Sequence, residues 1–161
     1  MKRYLFIGLM MTIAVGWFLS LDPFRHQPPE PEVTIEDRDV KVYTGTYDWS
    51  GMFRGEIADA KAGAIDLVEN KPSTQANSED RLTIRFEEGP TPKSVTVVLW
   101  SDKNNEKMKT YKKTGQFTVP TIPGRYVYQI TADWKEGEGD FAFPINVKSI
   151  TGQKHIDRIY V

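Results

Sequence analysis

From residue 33 onward the apolar residues return at every second position rather than every third or fourth, and this period-two pattern most limits what the chain can fold into. Arg81-Leu82-Thr83-Ile84-Arg85-Phe86 is the clearest case. Leu82, Ile84 and Phe86 face one way and Arg81, Thr83 and Arg85 the other, as in a strand with one buried and one wet face. Val33 to Ile35, Val40 to Trp49, Val95 to Trp100 and Gln116 to Val119 read as further short strands bounded by Gly, Pro, Asn or Asp. Arg125 to Trp134 and Asp140 to Val147 read as a hairpin joined by the five-residue loop Lys135-Glu136-Gly137-Glu138-Gly139. One short helix is expected, Ile57 to Glu69, interrupted at Gly63. Six to eight strands with turn signals between them predict an all-β domain, an immunoglobulin-like antiparallel β-sandwich. In such sandwiches a tyrosine near the start of the penultimate strand caps the preceding turn with its hydroxyl. Gly124-Arg125-Tyr126 has that layout, so Gly124, Tyr126 and Tyr128 are the expected structural residues; plain strand positions are the alternative for the two tyrosines.

Ahead of this domain, Tyr4 to Leu21 is an 18-residue stretch without a charge, preceded by Lys2-Arg3. As a helix it would reach about 27 Å, close to the thickness of a bilayer's hydrocarbon core and longer than most signal-peptide cores. No pair of small residues near its end suits a signal peptidase, so the expectation is one N-terminal transmembrane helix retained as a signal-anchor, with a cleaved signal as the alternative. The basic pair lies before the helix, which predicts a single-pass protein of the cell membrane with the N-terminus cytoplasmic and the domain extracytoplasmic. The chain then divides into an anchor (1–21), a spacer with four prolines in eleven residues (22–32), the sandwich ectodomain (33–150) and a tail (151–161). There is no cysteine, so an exported domain must be held by its core alone, and lipid attachment through a cysteine is chemically impossible. Without Lys2 and Arg3 the chain has 19 basic against 22 acidic residues, a charge of −3, which argues against a nucleic-acid partner.

The inventory for catalysis is thin. The two histidines, His26 and His155, sit in the spacer and the tail, and neither has a nucleophile or zinc ligand at a useful spacing. Lys113-Thr114-Gly115 matches a triplet of penicillin-recognising enzymes but lacks the accompanying SxxK, and is read as chance. No catalytic residue and no cofactor is therefore assigned. Asp48 or Asp59 as a general acid or base on a glycan is the least favoured alternative, since it would need two carboxylates about 5–10 Å apart. Glu136, Glu138 and Asp140, with Asp133, crowd the hairpin tip; they are weak calcium candidates, and a solvated acidic turn is the better reading. Lys103, Lys107 and Lys109, continuing to Lys112 and Lys113, could meet an anionic lipid surface or wall polymer, or could protect an edge strand from aggregation. Trp49, Trp100 and Trp134 each end a strand; exposed together they would make a binding platform, buried they are core.

Taken in order, Tyr43-Thr44-Gly45-Thr46-Tyr47-Asp48-Trp49, Gly55-Glu56-Ile57-Ala58-Asp59-Ala60, Gly124-Arg125-Tyr126-Val127-Tyr128, Trp134 and Phe141-Ala142-Phe143 resemble a group of uncharacterised exported proteins and lipoproteins of Gram-positive bacilli, over roughly residues 33 to 148. That group has a GxYCW stretch, a second cysteine in a GCAD-like stretch, and a closing YxY…W…YAF hairpin. Here Asp48 stands at the first cysteine position and Glu56 or Ile57 at the second, so both are absent together. The resemblance implies fold and location, and no activity. The expected function is a membrane-anchored extracytoplasmic binding or accessory module without catalysis. The alternative is an inhibitor or regulator of an extracytoplasmic protease or wall enzyme, acting through Ser101 to Thr114 or Glu136 to Gly139.

Overall fold

A computed structural model describes residues 8–16, 25–51, 55–59 and 63–148. Wherever side chains alternate, the backbone is extended and the apolar set turns inward. Eleven strands result among the described residues: β1 (Glu32–Ile35), β2 (Arg38–Asp39), β3 (Tyr43–Ser50), β4 (Gly55–Ala58), β5 (Thr74–Asn77), β6 (Arg81–Arg85), β7 (Ser94–Ser101), β8 (Glu106–Tyr111), β9 (Gly115–Thr118), β10 (Gly124–Asp133) and β11 (Gly137–Lys148). A helix, α1 (Ala64–Val68), interrupts the series. One antiparallel sheet runs β2-β1-β6-β9 and a larger one β4-β3-β11-β10-β7-β8. β5 lies parallel to the end of β11, Ile145↔Thr74 through Lys148↔Asn77.

The two sheets share one core. Ile35, Leu82, Ile84 and Phe117 from the smaller sheet meet Val97, Tyr128, Ile130, Phe141 and Phe143 from the larger. Tyr128 stacks on Phe143 with ring centres 5.1 Å apart, and Trp49 meets Trp134 edge-on at 5.5 Å. On the opposite face of the larger sheet, α1 covers Val127 and Ala142 with Val68. Arg125 on β10 fixes that helix from below: its guanidinium donates to the Val68 carbonyl (2.6 Å) and the Ser73 hydroxyl (3.0 Å) and pairs with Asp102 (2.8 Å). The all-β, two-sheet arrangement read from the alternation is thus present. Pro144, which has no N–H to donate, is tolerated in β11 because the strand changes neighbours there. β3 pairs as far as Ala142 and β5 begins at Ile145.

Three local expectations differ. Residues 55–58 are strand β4 rather than the start of a helix, because Ile57 pairs with Asp48 on β3; the helix begins only after Gly63. The hairpin turn is Trp134 to Glu136, three residues rather than five, closed by the Trp134 N–H on the Gly137 carbonyl at 2.7 Å. Gly137 has φ +155, and a Cβ there would overlap the Asp48 carbonyl, so only glycine lets β11 resume that early. Thirdly, the proline-rich segment is part of the domain rather than a free spacer. Pro28, Pro29 and Pro31 are buried, Glu30 accepts from the Thr44 hydroxyl at 2.9 Å, and Gln27 donates to Glu56 at 3.5 Å. A proline can lie flat on an apolar surface without burying an unpaired N–H. Gly139 makes room for this one, since a Cβ there would come within 3.0 Å of Pro28.

Residues 8–16 are helical, and no helix among the described residues is long and apolar enough to cross a membrane. The remainder of the expected anchor, residues 1–7 and 17–21, lies outside the described residues, as does the tail 151–161.

Changing Pro28, Pro29 and Pro31 together to glycine is expected to lower the unfolding free energy by about 3 kcal/mol, through lost burial and a freer unfolded chain. Urea unfolding that showed no change would mean the segment is a spacer after all. The Tyr128 hydroxyl is buried without a partner among the described residues, and burial pushes its ionisation far above the phenol range. The unfolded phenol ionises from about pH 10 and the folded one resists, so the stability it contributes is intact below pH 10 and lost as pH rises beyond it. Tyr128→Phe should therefore be neutral or stabilising by about 1 kcal/mol at pH 7. Above pH 10 it should lose about 1.4 kcal/mol less per pH unit than the parent, measured by the same unfolding series.

Candidate functional site

The polypeptide crosses between the sheets at one end of the sandwich, and the crossing segments frame a groove. After β6, Phe86 turns half inward and packs edge-on against Trp134 (5.4 Å) and Phe141 (6.3 Å). The chain returns through Pro90, Thr91 and Pro92 into β7 and is pinned to the β10–β11 hairpin. The Trp134 indole donates to the Pro90 carbonyl (2.8 Å), the Lys93 N–H donates to the Asp133 carbonyl (2.7 Å), and the Ser94 hydroxyl donates to the Asp133 carboxylate. Opposite, β8 ends at Tyr111, held on Phe117 at 4.9 Å, and Lys112-Lys113-Thr114 carry the chain over to β9 in the other sheet. Between these segments lies a groove of 590 Å³ whose walls include Phe86, Lys93, Ser94, Lys112, Lys113 and Thr114.

The groove has one sign of charge. Among the described residues no carboxylate lines it and the exposed lysines Lys93, Lys112 and Lys113 carry no ion pair, while Asp133 nearby is engaged by Ser94. Three ammonium groups with serine and threonine hydroxyls beside a half-buried phenylalanine can bind an oxyanion through charge and hydrogen bonds. A second groove of 400 Å³ on the outer face of the smaller sheet mixes Glu32, Asp37 and Asp39 with Arg81 and Arg85; within it Arg81 pairs with Asp37 at 3.5 Å, while Arg85 pairs with Glu87. There, repulsion from Glu87 chiefly raises the Glu32 carboxyl above its usual range.

The lysines named from sequence are spread along a line rather than gathered. Lys103 sits in the β7–β8 turn at the far end of the sandwich, and Lys107 and Lys109 lie on β8, the last strand of the larger sheet. Lys109 rests over the Tyr111 ring at 4.9 Å. A register shift between Leu99 and Trp100 bulges this strand, and lysines on a bulged edge discourage a second sheet from pairing there. Only Lys112 and Lys113 reach the groove. Lys93 was not singled out from the sequence, because the β7–β8 hairpin, not sequence proximity, brings it to them.

Trp49 and Trp134 are core residues, 2% and 4% exposed, and Trp100 lies half-buried on the other face with its indole on Gln129 at 3.2 Å, so no tryptophan platform forms. The Tyr126 hydroxyl donates to the Ile122 carbonyl at 2.8 Å across the turn at Gly124, while Tyr128 is wholly buried. The acidic hairpin does not gather ligands. Glu138 is exposed, Asp140 accepts from the Thr131 hydroxyl at 2.6 Å, and among the described residues no three acidic or histidine side chains could hold a metal ion. Asp48 and Asp59 are exposed on and beyond the β3–β4 pair, and neither lines a groove described above. The stretches expected to act as inhibitory loops are two tight hairpins, turning at 102–105 and at 134–136.

No protein-family model matches the chain, and neither a curated protein nor a solved structure matches it.

Asp48 and Ile57 face each other across β3 and β4, and directly opposed strand residues lie within the Cα range of a disulfide. Asp48→Cys with Ile57→Cys is expected to oxidise to an intramolecular disulfide in air and to raise stability by about 2 kcal/mol, read as the difference in urea unfolding with and without reductant. Free thiols after oxidation would contradict the register.

Proposed function

We propose that the protein is a single-pass membrane-anchored, extracytoplasmic binding module without catalysis of its own, and that its ligand surface is the lysine groove at the end of the sandwich. The observation that carries this reading is the groove: three lysines without an ion pair, serine and threonine hydroxyls and no carboxylate among the described residues. The apolar run Tyr4 to Leu21 supports the anchor, and the packed proline strap supports a domain held at a fixed place relative to it.

The sandwich is of immunoglobulin type on this reading. Connectivity supports it: β6 and β9 pair in one sheet while β7, β10 and β11 adjoin in the other, and β5, just before β6, runs parallel along β11. The Tyr126–Ile122 hydrogen bond at the start of the penultimate strand is the corner that such domains carry. That fold hosts many recognition roles and specifies none, so the ligand class rests on the groove chemistry.

Intact cells carrying the full chain and exposed to a membrane-impermeant amine reagent are expected to show modified Lys103 and Lys109, with Met1 to Leu21 still attached by intact mass. A photo-crosslinker at Thr91 should capture an anionic species, and capture should fall at least tenfold when Lys93, Lys112 and Lys113 are all glutamine. Protection of Lys103 in intact cells, or capture that ignores the lysines, would defeat the respective half of the proposal.

A further inference from the structure

We infer that the lysine groove docks on the phospholipid headgroups of the same bilayer that holds the anchor, so that the anionic ligand is the membrane itself. The inference rests on the anchored reading above and adds the identity of the ligand and the orientation of the domain.

Where the chain enters the domain carries the argument. The first described residue after the apolar run is Arg25, whose guanidinium carbon lies 3.3 Å from the space a Cβ on Gly89 would occupy. Gly89 is two residues from Thr91, a wall of the groove. From Leu21 to Arg25 the polypeptide can reach at most about 14 Å. The buried prolines that follow Arg25 prevent the tether from lengthening without disrupting contacts with Gly139 and Thr44. An anchor at 4–21 therefore holds this end of the sandwich beside the bilayer surface, and Lys103 at the other end faces away. Among the described residues the groove walls at the near end carry lysine and no carboxylate. Lys93, Lys112 and Lys113 are exposed there without an ion pair, Glu87 is taken up by Arg85 at 3.4 Å, and Glu88 and Glu136 lie outside the groove walls. Three lysines at an anionic surface favour the docked orientation by about a hundredfold, and a short tether makes the encounter intramolecular. A soluble polyanion would need none of this placement.

The chain has no cysteine, so a single one can carry a label at a chosen place. Full-length protein with Thr114→Cys bearing a bimane fluorophore is reconstituted into vesicles of phosphatidylcholine, or of phosphatidylcholine with 30% phosphatidylglycerol, each containing a headgroup-nitroxide lipid as quencher. Docking predicts at least threefold stronger quenching with phosphatidylglycerol, reversed by 0.5 M NaCl and abolished by Lys93→Gln, Lys112→Gln and Lys113→Gln together. The same label at Asn104→Cys should stay unquenched throughout. Equal quenching in both lipids, or in the triple variant, would mean that the tether alone sets the position and would overturn docking. No quenching at residue 114 would overturn it as well. Reversal by inorganic phosphate at an ionic strength where NaCl has no effect would make the groove a free-anion site and overturn the lipid assignment. Protein that fails to float with either vesicle would instead refute the anchor, and docking with it, which separates the two failures.

Discussion

The larger sheet is organised about one strand. β11 hydrogen-bonds to β10 over ten consecutive register pairs, to β3 along its first half and to β5 along its second. A strand with neighbours on both sides gains its stability from satisfying both rows of backbone groups, and a proline normally forbids that. Pro144 falls at the place where the outer neighbour changes, so the missing donor leaves no acceptor unserved on β3 or β5. Opposite Gly139 to Phe141 the partner β3 carries one extra residue, and the close approach that seats Pro28 is on β11 itself. Without disulfides, the two sheets are then joined by side chains alone, with Phe141, Phe143 and Ile145 of β11 buried completely.

Not all of that core is optimally paired. Among the described residues the Trp49 indole N–H and the Tyr128 hydroxyl are buried without a partner, whereas Trp134, Tyr126 and Tyr47 each find one, on Pro90, Ile122 and Glu56. A bonded tyrosine or indole fixes a turn or a loop, and at the groove end the Trp134–Pro90 bond fixes the return into β7 in that way. The groove is consequently a property of rigid connections rather than of a long loop.

The alternation in Arg81 to Phe86 and the pairing of the last two strands were legible because period two leaves no other economical way to bury the apolar residues. Strand β5 was not legible: of Thr74-Gln75-Ala76-Asn77 only Ala76 is buried, and the segment is a strand because β11 offers an open edge. Ile57 suggested the start of a helix, yet it is 73% exposed on an edge strand. Proline-rich composition signalled a spacer because the sequence shows no aliphatic or aromatic residues in 25–31; the burial of Pro28, Pro29 and Pro31 comes from ring faces, which periodicity does not detect. The groove suffered from the same limit, since Lys93 and Lys112 are brought together by a hairpin and not by adjacency.

The proline strap also has a mechanical meaning. Because its rings contribute no backbone donors, it is held by surface contact and a few side-chain bonds rather than by a ladder, and a load drawn along the chain from its N-terminal side would meet it before any strand. Its seven residues, 25–31, would add about 24 Å of reach once peeled away, while both sheets kept their register. Under such a load the strap would act as a fuse in series with the domain, giving way before either sheet unfolds.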